Sequence, residues 1–159
     1  MSIKTNTEVS LQAYVRLVRS AEALHSGVSR GLIVEGLSAS QFSAMKVLRI
    51  HGQLAQRDIA KYILKSGGNI TILVDKLEEM NLVSRDRDKV DRRITYVSLT
   101  EKGEKLFDSL YPGHLMRIKD AMAALTPEEC SVLISLLEKV SPGEVDVACS
   151  PNIPISAPR

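Results

Sequence analysis

Between Ser66 and Glu79 the chain places Ile70, Leu73, Val74 and Leu77 at the i, i+3, i+4, i+7 spacing of a helix with one apolar face. On the same wheel Gly68, Ile72, Asp75, Lys76 and Glu79 point the other way, with Asn69 and Thr71 flanking the helix start. Ser66 supplies a cap, and Gly67 and Gly68 remove side-chain bulk from the first turn, so a large object can approach the backbone there. A helix start that is small, polar and rich in amides suits a DNA major groove. Asn69 and Thr71 can bond base edges, Ile72 can meet a thymine methyl, and the amides favour phosphate. An ordinary amphipathic core helix has the same apolar spacing, so the flanking segments decide.

Upstream, Ser38-Ala39-Ser40-Gln41 has the Ser-to-Gln interval of a capping box. It opens a helix carrying Phe42, Met45, Val47, Leu48 and Ile50 that stops near His51-Gly52. A short helix from about Ala55 to Ile63 follows, burying Ile59 and Ile63 and exposing Arg57, Asp58 and Lys61. Leu64-Lys65 then turns into the Ser66 helix. Two short helices joined this tightly make a helix-turn-helix.

After Met80-Asn81 the period changes to two, in Leu82-Val83-Ser84-Arg85 and again in Ile94-Thr95-Tyr96-Val97-Ser98-Leu99. The spacing predicts a hairpin whose exposed loop is Asp86 to Arg93. From Arg85 to Arg93 five cations face three anions, an excess of 5 − 3 = +2 that equals the net charge of the whole chain. Mixed charge is common on solvated hairpin tips. Directly after a candidate recognition helix, however, such a loop is a wing whose arginines can reach phosphates and a narrow minor groove.

The ends of the chain read as helices. Leu11, Val15, Val18, Ala21, Leu24, Val28 and Leu32 form a helical stripe from about Val9 to Ile33, with a break near Gly27 or Gly31 as the alternative to one long helix. A helix this long outruns a small lobe. Part of it is therefore expected to pack against another chain, with Arg16, Arg19 and Glu22 on its wetter sides. Thr100 caps a later helix carrying Leu106, Phe107 and Leu110. Tyr111-Pro112-Gly113 predicts a kink or break in it, with helix resuming through Leu125. Thr126-Pro127-Glu128-Glu129 starts a last helix to about Val140, expected to bury Val132, Leu133, Leu136 and Leu137 or Val140. Residues 141–159, with four prolines and no periodicity, read as a flexible tail.

The totals narrow the classes. A chain of 159 residues with net charge +2 must bind any polyanion through local charge. It has no run of 18 apolar residues and no apolar secretion signal, which predicts a cytoplasmic protein without a membrane partner. Cys130 and Cys149 lie in no CxxC and beside no histidine cluster, so no metal site is expected. The absence of a Gly-rich phosphate loop, GxSxG or HExxH predicts no catalytic residue, no cofactor and no enzyme.

The order helix, helix-turn-helix, charged hairpin, long helix, final helix resembles the MarR family of bacterial winged-helix transcriptional regulators. The resemblance covers roughly residues 10 to 140. It is carried by Ser66-Gly67-Gly68-Asn69-Ile70-Thr71, Val74-Asp75-Lys76-Leu77-Glu78, Asn81-Leu82-Val83, and Asp91-Arg92-Arg93 leading to Val97-Ser98-Leu99-Thr100-Glu101-Lys102-Gly103. It implies a mainly α fold with a small β hairpin, in a single domain over residues 1–140. Within it a winged helix-turn-helix lobe spans 35–100, and a helical dimerisation lobe is built from 8–34 and 101–140. It further implies a homodimer on a pseudo-palindromic operator in double-stranded DNA. DNA contacts are expected from Lys65, Ser66, Gly67, Gly68, Asn69, Thr71, Ile72 and Lys76 of the helix and from Arg87, Lys89, Arg92 and Arg93 of the wing, which Asp91 positions. Many relatives carry arginine where Ile72 stands and glycine where Leu64 stands, so operator preference and turn geometry are expected to differ here.

Similar proteins are often repressors released by an aromatic or phenolic effector held where the first, second and fifth helices meet. Leu24, His25, Met45, Tyr111 and His114 are candidates to line that space, although Met45 equally suits plain core packing, and His25 and His114 partial exposure. The competing readings are redox sensing through Cys130 or Cys149, and a winged helix used only for protein contacts.

Overall fold

The structure, a computed structural model, describes residues 6–63 and 67–141. Its elements run α1 (Asn6–Ile33), α2 (Ala39–His51), β1 (Leu54–Ala55), α3 (Gln56–Tyr62), α4 (Gly67–Glu79), β2 (Val83–Arg87), β3 (Thr95–Leu99), α5 (Glu101–Ala121) and α6 (Pro127–Val140). The turn at Leu64-Lys65, Ser66 and the tail from 142, with Cys149, lie outside the described residues.

Local chemistry sets the helix starts. Ser38 Oγ accepts from the Gln41 amide while Gln41 Oε1 accepts from the Ser38 amide, and Thr126 and Glu129 repeat the exchange at α6. Pro127 occupies the first position of α6, where no amide hydrogen is needed.

The strands form an antiparallel sheet in the order β1-β3-β2, with Arg85 opposite Val97 and Leu54 also paired to Val97. The hairpin is the one expected. β1 is an addition, and it takes Ala55, expected in the third helix, into the sheet. Two residues are too few for a period-two pattern, and their partners lie some forty positions on.

The core gathers Ile70, Leu73, Val74 and Leu77 of α4, Phe42, Met45 and Leu48 of α2, Ile59 of α3, Val83 and Val97 of the sheet, and Phe107 and Tyr111 of α5. Phe42 stacks on Phe107 at 5.0 Å and Phe107 on Tyr111 at 5.1 Å, so both phenylalanines of the chain serve one joint between α2 and α5. Arg49 and Asp108 bridge the same two helices with paired hydrogen bonds of 3.0 and 3.3 Å.

Two expectations change, and α1 is the one long helix expected, uninterrupted at Gly27 and Gly31. At Gly31 the missing side chain makes room for the Arg117 guanidinium, which a Cβ would meet at 2.2 Å, and Arg117 Nε donates to the Val28 carbonyl at 3.0 Å. α5 runs unbroken through Pro112, held on either side by buried Tyr111 and by α1 packed along it, with the proline ring on the exposed side; the helix stops at Ala121 and not at Leu125. Finally, α6 buries none of its residues: Val132, Leu136, Leu137 and Val140 are exposed and Leu133 only half-buried. Nothing among the described residues covers them.

Candidate nucleic-acid interface

α4 turns the faces the sequence assigns to it. Ile70, Leu73, Val74 and Leu77 are buried, whereas Asn69, Thr71, Ile72 and Lys76 are exposed, Ile72 at 57%. Gly67 and Gly68 are the first helical residues; Lys65 and Ser66 lie outside the described residues. Gln56 Nε2, from the first turn of α3, donates to Thr71 Oγ1 at 2.9 Å and so orients that hydroxyl. The two helices of the helix-turn-helix are thereby joined at their outer edge as well as through the core.

The wing is organised by two aspartates. Asp91 Oδ1 accepts from the Arg93 amide at 3.0 Å and from Arg93 Nε at 3.1 Å, which aims a guanidinium that is otherwise 92% exposed. Asp88 Oδ1 accepts from the amides of Val90 and Asp91 at 2.8 Å each, closing the loop below its tip. These amides, Asp91 first and then Val90, hold the Asp88 carboxyl below the ordinary carboxylate range. Arg87, Lys89 and Arg92 are exposed along the loop. Arg93 borders a cleft of about 220 Å³ together with Gln56 and Arg57 of α3 and Ile70 of α4, so the wing root and the helix-turn-helix form one continuous face.

Arg85, counted with the wing cations in the sequence, is not one of them. Its side chain is 20% exposed and folds onto α4, where it meets Asp75 and Glu78. Arg85, Asp88 and Gln56 escaped the sequence reading. Of the three only Asp88 had a signal, the three-residue interval to Asp91 typical of an Asx turn.

A second feature lies between the helices. A cavity of about 600 Å³ opens among α1, α2, α3 and α5, walled by Leu24, His25, Phe42, Lys46, Tyr62 and His114 among others, with no carboxylate in its lining among the described residues. Of the five residues expected around an effector, Leu24, His25 and His114 stand in the wall. Met45 and Tyr111 do not: both are sealed in the core beneath it, because α2 and α5 turn those positions toward the Phe42–Phe107 stack. Lys46 was missed; its Nζ lies 5.9 Å from the centre of the Tyr111 ring.

His114 is unusual. Its ring packs on Phe42 at 4.8 Å, and Nδ1 is sealed from solvent without a partner. A bare N–H buried there would cost more than a bare lone pair, so the neutral ring keeps its proton on Nε2. Burial first, then the charges of Arg117, Lys46 and His25, push its pKa down to about 4. Cys130 is a half-buried free thiol on α6. No helix among the described residues is long and apolar enough to cross a membrane.

Comparison with known proteins agrees with this architecture. The MarR family model matches residues 37–95, from the last residue before the α2 cap to the first of β3. The HTH-type transcriptional regulator MhqR of Bacillus subtilis is 31% identical, over 84% of this chain and 92% of its own. Among solved structures, Bordetella bronchiseptica BpsR, whose DNA binding is regulated by 6-hydroxynicotinic acid, superposes with a TM-score of 0.75 at 24% identity, over 82% of this chain and 98% of that one. A mutant of E. coli MarR complexed with operator DNA gives 0.75 at 21% identity, over 89% of this chain and all (100%) of the other. With a buried-faced α4, an aspartate-braced wing and this degree of likeness to MhqR, the chain belongs to the MarR family of DNA-binding winged-helix transcriptional regulators and is not an enzyme.

Proposed function

We propose that the chain acts as a homodimer that sets α4 and the wing of each protomer on a pseudo-palindromic operator, represses transcription there, and is released by a small aromatic or phenolic molecule. The observation that carries this reading is the cleft in which Arg93, held by Asp91, stands beside Gln56 and Arg57 of α3, with Gln56 bonded to Thr71 on the exposed side of α4. Asn69, Thr71 and Ile72 are offered to base edges, Lys65, Ser66, Gly67 and Gly68 to the adjoining backbone, and Lys76, Arg87, Lys89, Arg92 and Arg93 to phosphates and the minor groove. The apolar stripes of α1 and α6, uncovered among the described residues, supply the surface for a second copy. The complex of E. coli MarR with operator DNA supports the docking mode at the level of the fold.

The cavity supports the effector. It lies where the helical arms meet the helix-turn-helix, so a molecule wedged there would alter the spacing of the two α4 helices. Only its preference for one spacing over the other can do work. Regulation of BpsR by 6-hydroxynicotinic acid is in keeping with an aromatic occupant.

Selection of bound DNA from a random pool tests the reading. It should return a palindrome with half-sites about 34–36 Å apart, the pitch of one DNA turn. Affinity for it should fall by orders of magnitude between roughly 50 and 200 mM salt. Ile72→Arg should shift the recovered consensus, as an apolar contact is exchanged for a guanidinium. No enrichment, or an affinity indifferent to salt, would leave a protein-docking winged helix; a panel of aromatic acids and phenols without effect on the complex would remove the effector.

A further inference from the structure

Thr71, Asp75 and Glu78 occupy positions i, i+4 and i+7, a stripe along one side of α4, and one side chain from outside the helix spans all three. From β2, Arg85 places one terminal nitrogen 2.6 Å from Asp75 Oδ1 and 2.8 Å from Glu78 Oε2, and the other 3.3 Å from the Thr71 carbonyl. Otherwise α4 joins β2 through the short turn Met80-Asn81-Leu82, in which Asn81 takes the left-handed conformation at φ 58° and the Leu82 amide bonds the Leu77 carbonyl at 2.9 Å. That turn fixes the end of α4 farthest from the proposed base contacts. Arg85 grips the helix about 10 Å nearer to them, since seven residues separate Thr71 from Glu78 at about 1.5 Å each.

We infer that Arg85 is a positioning residue for operator recognition: it locks the start of α4 to the wing strand at a fixed angle by pairing with the Asp75 and Glu78 carboxylates and the Thr71 carbonyl. The inference rests on α4 being the DNA-reading helix. Base readout needs donors and acceptors placed within about 0.5 Å; core packing of Ile70 and the Gln56–Thr71 bond hold the start of α4 to its helical neighbours, and Arg85 is the side chain that ties it to the wing strand. The guanidinium fork suits this task, because it meets two carboxylates and a carbonyl at once with little freedom to reorient. With both terminal nitrogens engaged by α4, Arg85 adds no phosphate contact of its own.

The test is the affinity of Arg85→Met for the selected operator and for random-sequence DNA across a salt series, beside Arg93→Ala. Arg85→Met should lose at least tenfold on the operator, keep its affinity for random DNA within twofold, and retain the wild-type salt slope, whereas Arg93→Ala should flatten the slope. A merely weakened fold would lower both affinities together. Operator affinity within twofold of wild type overturns the inference, and so does a slope flattened as in Arg93→Ala, which would make Arg85 a phosphate contact. Should Arg85→Met fail to fold, Asp75→Asn combined with Glu78→Gln releases the same grip with Arg85 present; that double variant should show the same selective loss, and unchanged affinity overturns the inference. A wild-type protein that selects no DNA would instead sink the underlying reading of α4.

Discussion

The winged-helix half and the helical arms distribute their apolar residues in opposite ways. From Leu37 to Tyr111 most of the large aliphatic and aromatic side chains turn inward, with Tyr62, Ile72 and Val90 the exposed exceptions among the described residues. Along α1 only Leu32 is buried, and along α6 nothing is, although both helices carry stripes as regular as that of α4. Regular patterning therefore states that a face will be covered, not by what. In the first half the cover is the chain itself; in the second nothing among the described residues supplies it, and the proposed second copy would.

The most severe way to break this comparison is to spoil the uncovered half. Val132→Asp combined with Leu136→Asp should give monomers in sedimentation with an intact circular dichroism spectrum, and operator affinity should fall at least ~100-fold once the two half-sites no longer bind as a unit. A variant that still dimerises would locate the contact elsewhere. Next comes damage to the covered half. A Cβ on Gly103 would lie 2.0 Å from the Leu82 carbonyl oxygen, a backbone atom that cannot step aside. Gly103→Ala should cost about 3 kcal/mol, the upper end for overpacking, and lower Tm by about 6–12 °C in a thermal melt. Normal stability would mean that the Leu82 carbonyl and α5 are loosely joined.

A smaller effect is expected at the DNA face. Arg93→Ala should weaken operator binding roughly tenfold and flatten the salt slope by about 1.8 per dimer, two phosphate contacts at 0.9 each, while stability and dimerisation hold. An unchanged gel-shift midpoint would remove the wing from the mechanism. The smallest concerns His114, where the halves meet. Its pKa of about 4 in the fold lies below its ordinary 6.5, so the unfolded chain binds the proton more readily. Its contribution to stability is whole above about pH 6.5 and declines as pH falls toward 4. His114→Phe should therefore narrow the gap between urea midpoints measured at about pH 7 and about pH 4.5; an equal gap in both proteins would show the histidine to be well solvated.

How far the molecule was legible followed from the range of the interactions involved. α4, the capping boxes at Ser38 and Thr126 and the hairpin could be read because their signals lie within a few residues of one another. β1 could not, since two residues acquire meaning only beside Val97 and Tyr96. Arg85 sat in a charged run that reads as solvent, and its partners are seven to fourteen positions away on a different element. Met45 and Tyr111 lie on the inward faces that periodicity predicts, yet periodicity does not tell a packed centre from a cavity wall. Pro112 carries a strong breaking signal that neighbouring contacts override.

That proline has a mechanical consequence. α5 is a rod of 21 residues, about 31 Å long, with Gly103 wedged against the Leu82 carbonyl at one end and His114 and Ile118 bordering the cavity toward the other. Lacking an amide hydrogen, Pro112 omits one rung of the helix between those ends, and bending stiffness is least at a missing rung. The bond left out is the one residue 112 would donate to the carbonyl of residue 108, so the rod is least stiff over that turn, between the end that carries Gly103 and the end that borders the cavity.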